Sequence, residues 1–318
     1  MARTLRSRAN ALATLGGIGA TLFLARSVRA QTPAALNVAG VPEDSITPAL
    51  YADQSGLFAK YGLAVKLGSE RSGSAIASGV AGGAYQIAKS SLVSLILARG
   101  KGIPFVLVAP GGYYSSSLPN TAMLVAKDSP LKTAADLNGK TIAVSALGDL
   151  YTLSTKEWMA KNGGDPDSIK LVELPISAVP DAIAAGRIDA GMVIEPVLER
   201  AIEGGKIKVI AHPMDAIASR FLYSGWFTTN DWASAHPKET AAFAKAMRDA
   251  SVYVNAHEGQ TVDLLAKFTG IDPGDIAKMV RAESATTLNP KEIQPVIDAC
   301  AKYKLIATAF DAREMIGA

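Results

Sequence analysis

Apolar positions along the chain change their period many times, and most changes fall at glycine or proline. Residues 35–41 alternate in a β-prone pattern that ends at Pro42, which predicts a first strand. Residues 47–59 then carry apolar side chains at helical spacing, and Gly62 closes that helix as a C-terminal glycine. A short strand over 63–67 follows, then a small helix over 74–78 stopped at Gly79, a strongly apolar helix over 91–99 ended by Gly100, and a buried strand over 105–109. The cycle restarts at Thr121. Strands are predicted over 122–126, 141–145, 170–174 and 190–194, with helices over 131–137, 151–161 and 179–185 between them. After a stretch at 225–229 the chain reads as helical almost to its end, most clearly over 233–255 and 261–268. Such alternation of strand and helix predicts an α/β architecture with mostly parallel sheets. A faint echo between Ala75-Ile76-Ala77-Ser78-Gly79 and Ala182-Ile183-Ala184-Ala185-Gly186 fits two similar lobes, with the chain crossing near 118–122 and 223–227.

The first 30 residues stand outside this alternation. Arg3, Arg6 and Arg8 precede an almost wholly apolar stretch from Ala9 to Ala25, and Ser27-Val28-Arg29-Ala30 sets modest residues before a cut at Gln31. This is the three-part layout of a secretory signal, expected to be cleaved near Ala30/Gln31. A membrane anchor fits less well, because the apolar run is short and interrupted by Gly16, Gly17 and Gly19. The leader also carries five of the 32 Lys+Arg residues and no acid, so the formal +3 of the whole chain becomes 27 basic against 29 acidic residues after it. The apparent basicity belongs to the leader, and a nucleic-acid partner loses its main support. The single cysteine, Cys300, excludes an internal disulfide and a cysteine-based metal cluster.

Four blocks, in order, resemble a known family. They are Ala49-Leu50-Tyr51-Ala52-Asp53-Gln54-Ser55-Gly56-Leu57-Phe58-Ala59-Lys60-Tyr61-Gly62-Leu63; Ala135-Asp136-Leu137-Asn138-Gly139-Lys140-Thr141-Ile142-Ala143-Val144; Ala182 to Gly186 with Ile188-Asp189-Ala190 and Glu195-Pro196; and His236-Pro237-Lys238-Glu239 before an alanine-rich helix. Together they resemble the two-lobed type II periplasmic binding fold, in the branch of sulfonate, taurine, nitrate and thiamine-pyrimidine binding proteins of ABC importers. Two departures from that pattern are Tyr85-Gln86-Ile87, where many relatives carry an acid, and the longer, glycine-rich connection from Gly79 to Ala84. The resemblance implies a monomeric periplasmic protein with a first lobe over 31–119 and 223–318 and a second over 120–222. It also implies a small-molecule ligand and delivery to a permease in the inner membrane, with no cofactor and no bond chemistry.

Ligands of open α/β sheets bind outside the carboxyl ends of the strands, so the candidate site lies in the loops after them. Glu43, Asp44 and Ser45 follow the first strand. Arg71 with Ser72-Gly73-Ser74, and Lys89 with Ser90, stand where helices open and free amide groups favour an oxyanion. Gly148, Asp149 and Tyr151 occupy the corresponding loop of the second lobe. Arg71 is either an oxyanion fork or a solvated loop charge. Glu195 either accepts a ligand N–H or fixes the hinge. Tyr113, Tyr114, Tyr151 and Trp226 are candidate aromatic walls, although core packing explains a lone tryptophan equally. Arg71 and Lys89 favour a carboxylate, sulfonate or aromatic acid, while Glu43 and Asp44 keep a nitrogen heterocycle such as a thiamine-precursor pyrimidine open. A sensor that presents its ligand to a receptor is the alternative to an importer's subunit.

Catalytic motifs are not found. His212, His236 and His257 lack metal-ligand spacing, no Gly-x-Ser-x-Gly elbow occurs, and Cys300 sits in an apolar helical pattern. A relative of this fold that makes thiamine pyrimidine uses a cysteine-rich iron site, which one cysteine does not support.

Overall fold

The computed structural model describes residues 33–70 and 72–317. The expected leader, its cut and Arg71 lie outside the described residues. Strands occur in chain order as β1 (Ala34–Gly40), β2 (Leu63–Ser69), β3 (Ile87–Ser91), β4 (Phe105–Pro110), β5 (Gly112–Ser115), β6 (Thr121–Ala126) and β7 (Thr141–Val144). They continue as β8 (Lys170–Glu173), β9 (Ala190–Ile194), β10 (Ile207–Ala211), β11 (Arg220–Leu222), β12 (Ser224–Thr229) and β13 (Glu283–Ser284).

Two five-stranded sheets form the lobes. The first has the order β2-β1-β3-β12-β4 and the second β10-β6-β9-β7-β8. β1 runs parallel to β2 and β3, whereas β12 lies antiparallel between β3 and β4. The second sheet repeats this plan, with β7 parallel to β8 and β9 and with β6 antiparallel to β9 and β10. Each sheet is therefore mostly parallel, with one reversed strand, β12 in the first and β6 in the second. The antiparallel strands are the ones entered from the crossover segments, and their amino ends reach the rim where the parallel strands finish: Thr121 pairs with Ile194, and Ser224 with Ser91.

Apolar side chains cover both faces of each sheet. Helices Thr47–Gln54, Leu57–Lys60 and Pro237–Ala256 pack on one face of the first sheet, through Ala49, Phe58, Phe243 and Met247. Helices Leu92–Gly100 and Pro290–Lys302 cover the other, through Leu95, Ile96, Val296 and Ile297. Cys300 belongs to this second layer, and burial pushes its thiol up to about 12. Leu150 and Leu153 of helix Leu150–Lys161 join the same layer, so a helix of the second lobe leans on the first.

Three short strands were not anticipated by the apolar pattern. β5 pairs antiparallel with β11 on one side and β13 on the other, tying together the two segments that cross between the lobes. Arg220 of β11 holds this ribbon by a two-pronged contact to Glu283 (2.6 and 2.7 Å) and a third bond to Glu292. A second departure concerns Gly79, expected to stop its helix. The helix runs on to Ala81, and Gly79 serves packing instead: a Cβ there would lie 2.6 Å from the Tyr85 ring. No helix among the described residues is long and apolar enough to cross a membrane.

Candidate functional site: the cleft between the sheets

The carboxyl ends of the two sheets face one another across a cleft of two adjoining cavities, about 230 and about 280 Å3. Glu43, Asn120, Tyr151, Ile176, Ile194 and Tyr223 line both. Each follows from the topology. Glu43 comes just after β1, Ile176 just after β8 and Ile194 at the end of β9, while Asn120 and Tyr223 immediately precede the antiparallel strands β6 and β12. The polar groups are few and the walls mainly aromatic and aliphatic, as suits a small organic solute. A hollow of about 360 Å3 on the outside of the second lobe, beside Asp181, Arg200 and Lys206, is larger. It opens between helices Val179–Ala184 and Val197–Glu203, away from the strand ends, and we give it no part in ligand capture.

Acidic groups face this cleft, and the buried cations stand behind them. Lys89 has no exposed side-chain surface and ion-pairs with Glu43 Oε1, an oxygen that also accepts a bond from Ser45 Oγ at 3.1 Å. Asp44 is fixed more firmly. Arg281 Nε donates to Oδ1 at 2.7 Å, the Ala282 amide donates to Oδ2 at 2.5 Å, and Thr47 Oγ1 adds a longer bond. Burial raises the Asp44 carboxyl, and the Arg281 charge with these bonds opposes it. Asp149 caps helix Leu150–Lys161 by accepting from the Thr152 amide at 2.8 Å, while its other oxygen accepts from Ser145 and the Ala146 amide. Glu195 precedes Pro196 in a cis peptide, and its carboxylate accepts from the Glu199 amide at 3.1 Å. Burial raises both Asp149 and Glu195. Burial also raises the Tyr151 and Tyr223 hydroxyls, with the nearby acids reinforcing it, so both rings meet a ligand as neutral hydroxyl groups.

Two polar atoms at this rim have no hydrogen-bond partner: Ser90 Oγ and Thr121 Oγ1, on residues 4% and 1% exposed. Buried hydroxyls are normally satisfied, and Thr121 lines the cleft directly, so a solute oxygen or a solvent molecule is the natural partner there. Ser90 sits against Gly73, where a Cβ would approach its hydroxyl to 3.0 Å. Ser72 caps helix Gly73–Ala81, which also contains Ser74, and Ser91 caps helix Leu92–Gly100, so these two helix N-termini meet beside the cavity.

Of the residues expected at the site, Glu43, Asp44, Asp149, Tyr151 and Glu195 line the cavities. Lys89, Ser45 and Ser90 are buried in the layer behind them. Gly148, at a positive φ of 80°, supports the loop before Asp149 and packs toward Leu305. Three aromatic expectations need correction. Trp226 is fully buried, in edge contact with Phe243 across the first sheet, because its position on β12 directs it to the face covered by helix Pro237–Ala256. Tyr113 belongs to the β5 ribbon, where its hydroxyl donates to Glu292 at 2.6 Å and Arg220 lies over its ring. Tyr114 is buried likewise and donates to Asp215 at 2.7 Å. The aromatic that sequence reasoning missed is Tyr223, three residues before Trp226; its signal was the crossover itself. Asn120 and Thr121 lie in the other expected crossover, at 118–122, and carried the same signal, whereas Arg281 carried none.

The family described as NMT1/THI5-like matches residues 43–261. The chain is similar to the taurine-binding periplasmic protein of Escherichia coli K12, with 28% identity over 282 residues, covering 86% of this chain and 84% of that one. Among solved structures, the periplasmic aliphatic sulphonate binding protein SsuA of Escherichia coli superposes with a TM-score of 0.76 at 20% identity, covering 90% of this chain and 92% of that one. The periplasmic nitrate-binding protein NrtA of Synechocystis PCC 6803 gives 0.70 at 14% identity, covering 88% and 84%. These two likenesses establish the two-lobed periplasmic binding fold.

Proposed function

The chain belongs to the NMT1/THI5-like family, and from that premise we propose that it is the periplasmic substrate-binding component of an ABC importer. It captures a small organic anion, a carboxylate, sulfonate or aromatic acid, between its lobes and presents it to a permease. The observation that carries this reading is the cleft, where the carboxyl ends of both sheets meet around a cavity of small-solute size. The naming of relatives for taurine, sulfonates and nitrate supports an acidic ligand. Membership of the two large sheets supports the expected division into lobes, except that β11 pairs with β5 of the first lobe, which moves the end of the second lobe ahead of Arg220. A monomer without a resident cofactor completes the proposal.

Closure follows from the linkage of the lobes. The β5–β11–β13 ribbon braces the crossing segments near one lobe, which leaves residues 116–120 and 212–219 to absorb the rotation. A solute that touches both rims binds the closed form better and shifts the population toward it.

Native mass spectrometry of the protein isolated from its own periplasm tests the binding role. The expected result is one equivalent of a small acid, released chemically unchanged after prolonged incubation. Conversion of that compound to a product would replace the binding role with an enzymatic one.

A further inference from the structure

We propose that Glu43 is a displaceable internal counter-ion for Lys89, so that the acid group of the solute enters by taking the carboxylate's place. This deepens the reading of the cleft as an anion site and rests on it.

The cleft as described poses a charge problem for an anion. Among the described residues, no lysine or arginine lines either cavity. The two buried cations stand one layer back, Lys89 behind Glu43 and Arg281 behind Asp44. Among the described residues, an anion can therefore reach formal positive charge there only where one of these acids gives way.

The two acids are not equally free to do so. Asp44 accepts bonds through both oxygens, its side chain is 16% exposed, and Arg281 is itself bound to Thr47, Thr261 and the Glu258 carbonyl. Glu43 is held through a single oxygen, shared by Lys89 and Ser45, and its side chain is 42% exposed toward the cleft. Its backbone is extended, at φ −148° and ψ 167°, immediately before the short helix Asp44–Ile46 that Arg281 fixes from the other side. A rotation about the Glu43 side-chain bonds therefore releases Lys89 without moving the backbone.

Exchange of one anion for another makes Glu43 a specificity-determining residue. An acid that displaces it leaves Lys89 paired and Glu43 in water. A neutral solute of the same shape would have to leave a buried ammonium unpaired, which is strongly unfavourable. The arrangement selects for charge and lowers the affinity for every anion that must compete.

Titration calorimetry with ethanesulfonate, taurine and benzoate, on wild-type protein and on Glu43→Gln and Lys89→Met variants, tests this. Lys89→Met leaves a glutamate that water can reach, whereas Glu43→Gln gives the buried Lys89 a neutral amide oxygen in place of its counter-charge. The unfolding midpoint of each variant is therefore measured beside its binding, and Lys89→Met carries the test if Glu43→Gln does not fold. The expected result is that Glu43→Gln binds the best of the three probes about ten-fold tighter or more, and that Lys89→Met binds it about ten-fold weaker or worse. Wild-type binding with no gain in Glu43→Gln overturns the counter-ion role alone. Failure of all three proteins to bind any probe overturns the anion-site reading together with it.

Discussion

Replacing Asp44 by asparagine is expected to destabilise the fold by about 3–5 kcal/mol, because it leaves the Arg281 guanidinium buried without its counter-charge. Arg281 is 6% exposed. It connects the loop after β1 to residues just ahead of β13, joining parts of the chain 237 positions apart. Arg281→Met alone should cost a similar amount, since Asp44 then keeps only the Ala282 amide and the Thr47 hydroxyl. The double variant Asp44→Leu with Arg281→Met removes both charges and should cost less than either single change. Guanidinium unfolding at constant slope reads all three as shifts in midpoint. A double variant as unstable as the sum of the singles would contradict the pairing argument.

Trp226→Ala is expected to cost about 3–5 kcal/mol by opening a cavity that the first sheet cannot collapse into. The indole is fully buried, meets Phe243 at 5.4 Å between ring centroids, and lies opposite Lys89 in the β3–β12 register. Its Nε1 has no hydrogen-bond partner. Trp226→Phe should therefore lose much less, because it gives up volume but also removes an unsatisfied donor, and it should retain ligand binding. Loss of ligand binding in a Trp226→Phe protein of near wild-type stability would return this residue to the cleft.

Both predictions concern residues whose meaning the linear sequence hides. The alternation of strands and helices was legible because local features set it: apolar periodicity and glycine at helix ends. The place of β12 between β3 and β4 was not, since it depends on pairings across more than a hundred residues. That pairing decides which face Trp226 turns to, and so why a tryptophan at a crossover packs in the core while Tyr223 lines the cleft. The rule that ligands sit after strand ends pointed to Glu43, Asp149, Tyr151 and Glu195, all of which line the cavities. It could not separate Glu43 from Asp44, because the difference lies in their partners, Lys89 and Arg281, and in how many oxygens each partner occupies. Asn120 and Thr121, in the other expected crossover, reach the rim only because β6 runs against β9.

Capture by closure between the two lobes is the central claim, and small-angle X-ray scattering tests it most directly. With the solute released from the native protein added to saturation, the radius of gyration should fall, and it should recover when the solute is dialysed away. An unchanged radius at a concentration where calorimetry shows the site filled would contradict the account.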